Sequence, residues 1–397
     1  MMRIPTRKLG EIADFLNGGT PSRKVPEYFR GNIPWITGND VVGFRTSKGR
    51  ECITEDAVKH SATHLVPKGA VLFVTRTGVG KVSIADADIC ISQDLTGVVP
   101  KNGVNAEYLA RYLIFISDRI KGQQRGTTIL GITREVVADI VVPLPAFPIQ
   151  KQIAAILEKA DAAREKRRQA NQLTEQFLQS AFLEMFGDPV TNPKAWEKRE
   201  LGDCITDKPN NGFFAKSHHY HDDGVPIIWI SDFINRFYSK TTELKRVRLI
   251  EENIRKYTVQ YGDALFCRSS LNYEGVGKAG IIPKELKNTI IFECHIIRLR
   301  LDLNKVVPEF FRQLSDLPYF RNQIKSRAKT ATMTTIGQEG ITSCSLILPP
   351  IAEQHKFAAL VNKVELLRAK QRESEKELEN LFQSLMQRAF RGELITE

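Results

Sequence analysis

The sequence lacks the features of membrane, secreted and disulfide-stabilised proteins. Its six cysteines are scattered without a Cys-x-x-Cys pair, which indicates reduced thiols. No run approaches the roughly 18 apolar residues of a membrane-spanning helix. The opening Met-Met-Arg-Ile-Pro has no apolar core of the kind found in signal peptides. We therefore expect a cytoplasmic protein that does not contact a membrane.

Catalytic motifs are missing as well. The 397 residues contain no plausible Ser-His-Asp set, paired-carboxylate nuclease motif or helicase motif. Residues 207–210 read Asp-Lys-Pro-Asn, an order that does not match the catalytic loop of amino-methyltransferases. We expect a protein without catalytic residues and without a bound cofactor.

Two smaller patterns have both a structural and a functional interpretation. Residues 275–280 match Gly-x-Gly-x-x-Gly, but no strand-loop-helix unit surrounds them, so a tight turn between strands is favoured over a nucleotide site. His218, His219 and His221 lie in a polar stretch without a second ligand cluster, which favours a solvated loop over a zinc site. We expect no metal site.

Two long helices are predicted instead. Residues 147–186 contain no glycine, and their one proline, Pro148, suits a first helical turn. Their apolar residues recur at alternating spacings of four and three, the pattern of a helix that packs against another helix. The last forty-five residues repeat this pattern, and Gln150 matches Gln354 at an offset of 204. We predict that the two helices pair as an antiparallel coiled coil, which would relate the halves by a pseudo-twofold axis.

The segments that precede these helices are of domain size, and the second repeats the first. In the first, short strands are predicted at 33–36 and 71–74 and a helix at 106–119; in the second, a helix is predicted at 308–323. The predicted fold class is α+β, with tandem domains at 1–145 and 191–349 and helical regions at 146–190 and 350–397.

Individual residues of the two segments also correspond. Three pairs are matched in order along the chain: Trp35 with Trp229, Arg76 with Arg268, and Lys81 with Lys278. The offset between the segments grows along the chain, which places five added residues between Arg268 and Gly275. The framework is therefore duplicated while certain loops are not, and loops on a fixed scaffold are where recognition usually resides.

A surplus of positive charge indicates an acidic partner. The net charge is +11, and residues 236–300 contribute +6 of it, with thirteen Lys or Arg against seven Asp or Glu. Aromatic and amide side chains are interleaved there, a mixture that suits a DNA groove, where cations contact phosphates and amides read base edges. A solvated face is the plainer interpretation, and charge alone also fits a membrane surface or an acidic protein.

The pattern resembles the specificity (S) subunit of type I restriction–modification enzymes. The residues that carry the resemblance are 72–82, 91–95, Leu144-Pro145 running into 150–153, Phe-Gly-Asp-Pro at 186–189 and Pro-Pro-Ile-Ala-Glu-Gln at 349–354. The resemblance covers essentially the whole chain, and the order domain, helix, domain, helix is more specific than any one motif.

The resemblance implies a non-catalytic subunit. Each domain would be a target-recognition domain that reads one half of a bipartite double-stranded DNA sequence, and the helices would fix the gap between the half-sites. Two methyltransferase subunits would dock on the chain and bring S-adenosylmethionine for adenine-N6 methylation. Restriction (translocase–nuclease) subunits would bring ATP and Mg.

Candidate DNA contacts follow from the duplication. Residues shared between the halves are expected to serve the scaffold or the phosphates: Arg76, Arg268, Lys81 and Lys278. Unshared residues are better candidates for base reading: Asn272 and Tyr273, then Arg246 and Arg248. In the first domain the weaker candidates are Arg23, Lys24, Arg45 and the run Gln123-Gln124-Arg125.

Two other classes of protein are alternatives. A stand-alone DNA methyltransferase or nuclease would need a cofactor or metal motif, and none is found. A coiled-coil adaptor without sequence-specific DNA reading would leave the duplicated basic domains unexplained. Sequence-specific DNA binding separates the adaptor from a specificity subunit, and methyl transfer by the isolated chain separates the enzyme.

Overall fold

The computed structural model describes residues 4–122 and 131–395, which form two compact units. Unit 1 comprises Met1–Arg167 with Ser374–Glu397, and unit 2 comprises Arg168–Glu373. Both units mix helices with strands, so the predicted α+β composition is confirmed. Within the described ranges, no helix combines the length and the apolar character needed to cross a lipid bilayer.

Unit 1 is built from short strands. In chain order these are β1 (Thr6–Lys8), β2 (Ala13–Asn17), β3 (Ile33–Ile36), β4 (Arg45–Thr46), β5 (Glu51–Ile53), β6 (Leu65–Val66), β7 (Val71–Val74), β8 (Val82–Ala85), β9 (Ile89–Ile91), β10 (Leu95–Pro100) and β11 (Val141–Pro143). Its short helices are α1 (Leu9–Ile12), α2 (Glu55–Lys59), α3 (Ala106–Phe115), α4 (Ser117–Lys121) and α5 (Arg134–Ala138). One sheet has the order β2-β10-β7-β8-β4 and a second has the order β5-β3-β9-β6.

The central strand β7 is buried on both faces because of its sequence, Val-Leu-Phe-Val. Side chains alternate across a strand, so Val71 and Phe73 enter a core cluster with α3, while Leu72 and Val74 enter a second cluster with Ile36. All four residues are β-branched, aliphatic or aromatic, the types that suit a buried pleated surface. The strands predicted at 33–36 and 71–74 are confirmed.

The long helix α6 (Phe147–Phe186) begins in unit 1 and ends in unit 2. It ends where Gly187 adopts a left-handed φ of 78°, with its N–H bonded to Leu183 O at 2.8 Å. A glycine at this position relieves the steric penalty that a side chain would meet. The predicted helix and its stop are therefore confirmed.

Unit 2 repeats the scheme. Its strands are β12 (Glu197–Glu200), β13 (Asn210–Asn211), β14 (Tyr220–Ile228), β15 (Lys245–Val247), β16 (Asp263–Cys267), β17 (Ser269–Ser270), β18 (Ala279–Ile281), β19 (Ile291–Phe292), β20 (Ile296–Arg300), β21 (Lys329–Thr330), β22 (Thr334–Thr335) and β23 (Ser345–Leu348). Its helices are α7 (Glu251–Tyr257), α8 (Pro308–Asp316), α9 (Pro318–Arg327) and α10 (Gln338–Thr342), and α11 (Ile351–Arg391) follows them. The sheet β13-β20-β16-β18 corresponds to β2-β10-β7-β8 of unit 1.

The central strand of unit 2, β16, divides its side chains as β7 does. Ala264 and Phe266 enter the cluster that contains α8, and Leu265 and Cys267 enter the other. The same alternation in both units shows that the duplication reaches the packing of the core.

Each long helix is fastened to its unit by a buried glutamine. Gln150 accepts the Asn105 N–H at 2.9 Å and donates to Gly103 O (3.0 Å) and Pro145 O (2.8 Å). Gln354 accepts the Val307 N–H at 2.9 Å and donates to Lys305 O (3.0 Å) and Pro349 O (2.8 Å). Both residues thus satisfy three backbone groups that would otherwise be buried without partners, which explains their match at an offset of 204.

Three sequence-based expectations are corrected. The helix predicted at 106–119 is interrupted at Ile116, between α3 and α4, and the helix predicted at 308–323 is interrupted before Pro318, whose ring and missing N–H end α8. The polar stretch with the three histidines is not a simple loop. Residues Ser217–His219 form a 3-10 turn, and His221 lies in an irregular stretch of β14 between Tyr220 and Val225, which both stand opposite Val247 of β15. The pairs on either side of this bulge keep it within the strand.

Candidate nucleic-acid interface

The loop that joins the central strand to its antiparallel neighbour is the first candidate site in each unit. In unit 1 it connects β7 to β8, and in unit 2 it connects β16 to β18. Thr77 (φ 40°), Gly78 (108°) and Gly80 (89°) make the first a tight turn, and Gly277 (61°) closes the second. The glycine pattern at 275–280 is therefore a connection between strands, as predicted, and a strand rather than a helix follows it.

The hydrogen bonds of these loops correct the predicted match between Arg76 and Arg268. The N–H of Thr75 donates to Asp94 O, and its carbonyl accepts the N–H of Ile132. Arg268 makes the same two bonds, with His295 O and with the N–H of Ile336. Arg268 therefore occupies the position of Thr75, and Arg76 corresponds to Ser269. A shift of one residue turns a side chain to the opposite face of a strand, so the two arginines are not equivalent.

The match between Lys81 and Lys278 is confirmed. The carbonyl of Lys81 accepts the N–H of Val74, and the carbonyl of Lys278 accepts the N–H of Cys267, both at 2.9 Å. Because Thr75 pairs with Arg268 and Lys81 with Lys278, the loop of unit 2 is four residues longer, not five.

A second correspondence in the framework is also shifted. The carbonyls of Ile36 and Ile228 accept the N–H groups of Ser92 and Glu293, respectively. Trp35 precedes the first carbonyl residue and Trp229 follows the second, so these tryptophans do not occupy the same position. Trp35 is buried and donates to Gly19 O at 3.0 Å, whereas Trp229 lies beyond the end of β14.

The longer loop of unit 2 is braced against α9. Tyr273 donates its hydroxyl to Lys325 O at 3.2 Å, and the Lys325 ammonium pairs with Glu274 at 2.7 Å. The buried Arg321 donates to the carbonyls of Glu274 (3.0 Å) and Val276 (2.9 Å). These contacts hold the loop in one conformation, which lowers the entropy lost when a ligand is bound.

Three side chains of the braced loop face solvent. Arg268 is exposed, and its guanidinium has no partner among the described residues. The Asn272 side-chain oxygen accepts the Glu274 N–H at 3.0 Å, which orients the amide while its N–H groups remain available. Leu271, at the tip, is 85 % exposed. The arrangement presents a cation, an oriented amide and an apolar group on one rigid loop.

Lys278 lies at the far end of this loop. It is half-buried and lines a cleft of about 1750 Å³ in unit 2 together with Arg312 and Arg321. In unit 1, Arg76 is exposed without a side-chain partner in the described ranges, and the Lys81 ammonium donates to Gly38 O at 3.2 Å. The structure therefore places the two lysines and the two arginines beside the corresponding strand connections.

Four other candidates are already engaged by neighbouring groups. Arg248 forms a forked ion pair with Asp223, which lowers the pKa of that carboxyl, and Arg246 donates to Gly224 O at 2.8 Å. Arg23 is paired twice with Glu51 at 2.6 Å, and Arg45 is paired with Asp86 and Glu107.

The remaining weak candidates differ in what the structure describes. Lys24 is exposed. The run Gln123-Gln124-Arg125 lies outside the described residues.

The buried cysteines are unsuited to chemistry. Burial raises the pKa of Cys90, Cys204, Cys267 and Cys344 to about 11 in each case. A thiol of this kind is almost entirely protonated at neutral pH, so it is a poor nucleophile.

The family of the chain follows from sequence comparison. The family described as Type I restriction modification DNA specificity domain matches the chain twice, over residues 4–175 and 193–380. The chain belongs to this family. The predicted assignment to a DNA-specificity family, rather than to an enzyme family, is thereby confirmed.

Curated members of the specificity family are moderately similar to the chain. It is 28% identical over 272 residues to the type I restriction enzyme MjaIX specificity subunit of Methanocaldococcus jannaschii, covering 60% of this chain and 62% of that protein. It is 27% identical over 323 residues to the StySPI specificity subunit of Salmonella potsdam, covering 75% of this chain and 67% of that protein. The first match thus spans less than two thirds of the relative's length.

Two solved structures share the fold. The S subunit of a type I restriction–modification system from M. genitalium has a TM-score of 0.58 at 13% identity, with 97% of this chain and 96% of that chain covered. The second structure comes from a study of complex assembly and conformational transition of the type I R-M system. It has a TM-score of 0.58 at 19% identity, with 99% of this chain and 100% of that chain covered. At these identities the likeness establishes the fold alone.

Leu271 and the bracing set were not found by sequence reasoning. Leu271 precedes Asn272 in the segment that unit 2 adds, but the sequence does not indicate whether a single leucine is buried or exposed. The contacts of Arg321 and Lys325 join residues about fifty positions apart, and only the fold brings them together.

Proposed function

We propose that the chain is the DNA-specificity subunit of a type I restriction–modification complex, in which each unit reads one half of a bipartite target. The observation that carries the proposal is a duplicated framework with loops that differ between the copies. The loop from β7 to β8 in unit 1, and from β16 to β18 in unit 2, has the same hydrogen-bonded ends. It is four residues longer in unit 2 and carries different side chains. Two scaffolds of one design with different loops suit the reading of two different sequences.

In this proposal α6 and α11 pair as an antiparallel coiled coil that sets the distance between the half-sites. Contacts inside unit 2 support the pairing. Gln371 donates to the Thr174 hydroxyl at 3.0 Å, and Phe182, further along α6, packs on Phe357, further back on α11. Inside unit 1, Arg164 pairs with Glu379. Residues 1–145 and 191–349 are then the target-recognition domains, and 146–190 and 350–397 are the helical regions.

The chemistry would lie on other subunits. Two methyltransferase subunits with S-adenosylmethionine, and restriction subunits with ATP and Mg, would assemble on this non-catalytic chain. Large apolar side chains that α6 and α11 expose within unit 2 support a docking role, among them Leu173 (66 %) and Leu366 (69 %). Exposed apolar residues at helical spacing commonly mark protein contacts.

Base-modification sequencing tests the proposal. DNA is taken from cells that express the cognate methyltransferase subunit, with and without this chain. We expect N6-methyladenine at a two-part motif with a fixed gap, and only when the chain is present. Unchanged methylation with an active partner would contradict the proposal and favour the coiled-coil adaptor.

Within the longer loop, Arg268 and Asn272 are expected to act differently on DNA. Arg268 is not shared with unit 1, but its exposed guanidinium has no partner among the described residues and suits a phosphate. Arg268→Gln should therefore lower the affinity for every sequence and decrease the slope of log K against log salt by about 1. Asn272→Ala removes an oriented amide, so it should cost ~1–3 kcal/mol at one base position and little elsewhere. Binding to a randomised half-site library at several salt concentrations measures both effects.

Arg199→Gln is the matched control for charge. Arg199 lies in β12 and pairs with Glu197, and no hydrogen bond or ion pair among the described residues joins it to the loop. Its loss should therefore leave the base preference unchanged. If both loop variants lost affinity equally for all sequences, and by the same amount as Arg199→Gln, the loop would not read DNA.

A further inference from the structure

The turn between β19 and β20 of unit 2 gathers three metal-ligating side chains. Glu293, Cys294 and His295 place a carboxylate oxygen, a thiol sulfur and an imidazole nitrogen within 4.8 Å of one another. Glu293 is only 3 % exposed, Cys294 is half-buried and His295 is exposed. The site is therefore closed on one side and reachable from solvent on the other.

The buried carboxylate has an oxygen that the described residues leave without a partner. Oε2 of Glu293 accepts the His295 N–H at 2.9 Å, whereas Oε1 is buried and forms no hydrogen bond of normal length. The neighbouring Cys294 thiol interacts with this carboxylate. A buried acceptor without a partner destabilises a fold unless something binds it. A cation at Oε1 would supply that partner.

One ring nitrogen of the imidazole is held by a neighbouring side chain. Nδ1 of His295 lies 2.7 Å from the Ser269 hydroxyl, and Ser269 is itself buried. Histidines that bind metals commonly have one ring nitrogen held by a neighbouring polar group, which fixes the ring so that the other nitrogen can face the ion.

The corresponding turn of unit 1 shows what the backbone requires. Ser92, Gln93 and Asp94 stand at the same three positions, and the Ser92 hydroxyl accepts the Asp94 N–H at 3.3 Å as Glu293 accepts that of His295. A serine is therefore sufficient to hold the turn. The second carboxylate oxygen, the thiol and the imidazole of unit 2 are additions that the fold does not need.

Contrary to the sequence-based expectation of no metal site, we propose that Glu293, Cys294 and His295 bind one divalent transition-metal ion in unit 2. Oxygen, sulfur and nitrogen donors together suit Zn²⁺, which accepts all three in a tetrahedral site. Three protein ligands leave the fourth position to water. The carbonyl of His295 accepts the Arg268 N–H at 2.8 Å, so the ion would stiffen the base of the braced loop. Binding of the ion does not require that the loop reads DNA.

Metal binding by the full chain tests the proposal directly. The chain is stripped with a chelator and titrated with Zn²⁺ alone, and we expect one equivalent to bind. Co²⁺ in its place should give a thiolate-to-metal charge-transfer band, because Cys294 would be a ligand. Cys294→Ser should abolish the band, and His295→Asn should lower the affinity at least tenfold. Circular dichroism of the half-exposed Cys294→Ser variant checks that the chain still folds.

The chain offers an internal control for the same experiment. Cys52 and Cys294 are both half-buried free thiols, but Cys52 lies in unit 1 outside the cluster. Zn²⁺ should protect Cys294 from alkylation and leave the labelling rate of Cys52 unchanged. The proposal is overturned if no Zn²⁺ binds or if binding survives both variants. It is also overturned if Zn²⁺ changes the labelling rate of neither thiol.

Discussion

Replacement of Gly212 by alanine is expected to destabilise unit 2 by about 3 kcal/mol or more. The added methyl group would meet backbone atoms, which cannot move aside as a flexible side chain can. A Cβ at this position would lie 2.2 Å from Glu293 O and 2.3 Å from Phe292 O. Gly212 also donates its N–H to Ile296 O, so the segment cannot shift without breaking a backbone bond. At the corresponding glycine of unit 1, Gly18, a Cβ would lie as close to Ser92 O, at 1.9 Å.

Hydrogen exchange measures the effect of Gly212→Ala, because it reports each unit of the full chain separately. Peptides that cover β16 and β20 should lose protection, while those that cover β7 and β10 should not. Gly337→Ala is the control, since a Cβ there would meet nothing within 4 Å. Equal protection in the two variants would show that the backbones are not in contact at Gly212.

Gln354→Leu is expected to destabilise unit 2 by about 3 kcal/mol, since each buried group left without a partner costs roughly 1–3 kcal/mol and the added apolar contact offsets only part of this. The change removes the partner of the Val307 N–H and of the carbonyls of Lys305 and Pro349. The start of α11 and the segment before α8 should loosen together, since the amide joins them.

Thermal unfolding together with hydrogen exchange around residues 305–310 measures this loss. Gln172→Leu is the matched control, because Gln172 is an exposed glutamine of α6 in the same unit. If the two variants unfolded at the same temperature, the buried amide would contribute nothing beyond its volume. Gln150→Leu should reproduce the result in unit 1.

The long helices and the duplicated scaffold could be predicted from the sequence because their signals are local. The spacing of apolar residues specifies the helix seam, and glycine at 187 specifies its end. The strand connections could be predicted for the same reason, as the Gly-Val-Gly-Lys repeats lie within a few residues of their strands.

The register of the duplication, meaning which residue of unit 1 corresponds to which residue of unit 2, is harder to predict than the long helices. Arg76 and Arg268 were matched because both are arginines near a common motif, and Trp35 and Trp229 were matched because both are tryptophans. The framework instead conserves hydrogen bonds between backbones, which are indifferent to side-chain identity. The buried glutamines and the Glu293 cluster depend on contacts between distant segments, so a single sequence does not reveal their roles.

The packing of Phe390 has a consequence for how the protein is made. Its ring lies 5.5 Å from that of Tyr108, 5.1 Å from that of Tyr112 and 5.2 Å from that of Phe115. Phe382 and Met386 enter the same core cluster of unit 1. The ribosome synthesises these residues after the whole of unit 2, so the nascent first unit must wait with this apolar surface uncovered. Unit 2 contains no residue beyond Glu373 and can complete its core earlier, reversing the usual order in which the first unit synthesised folds first.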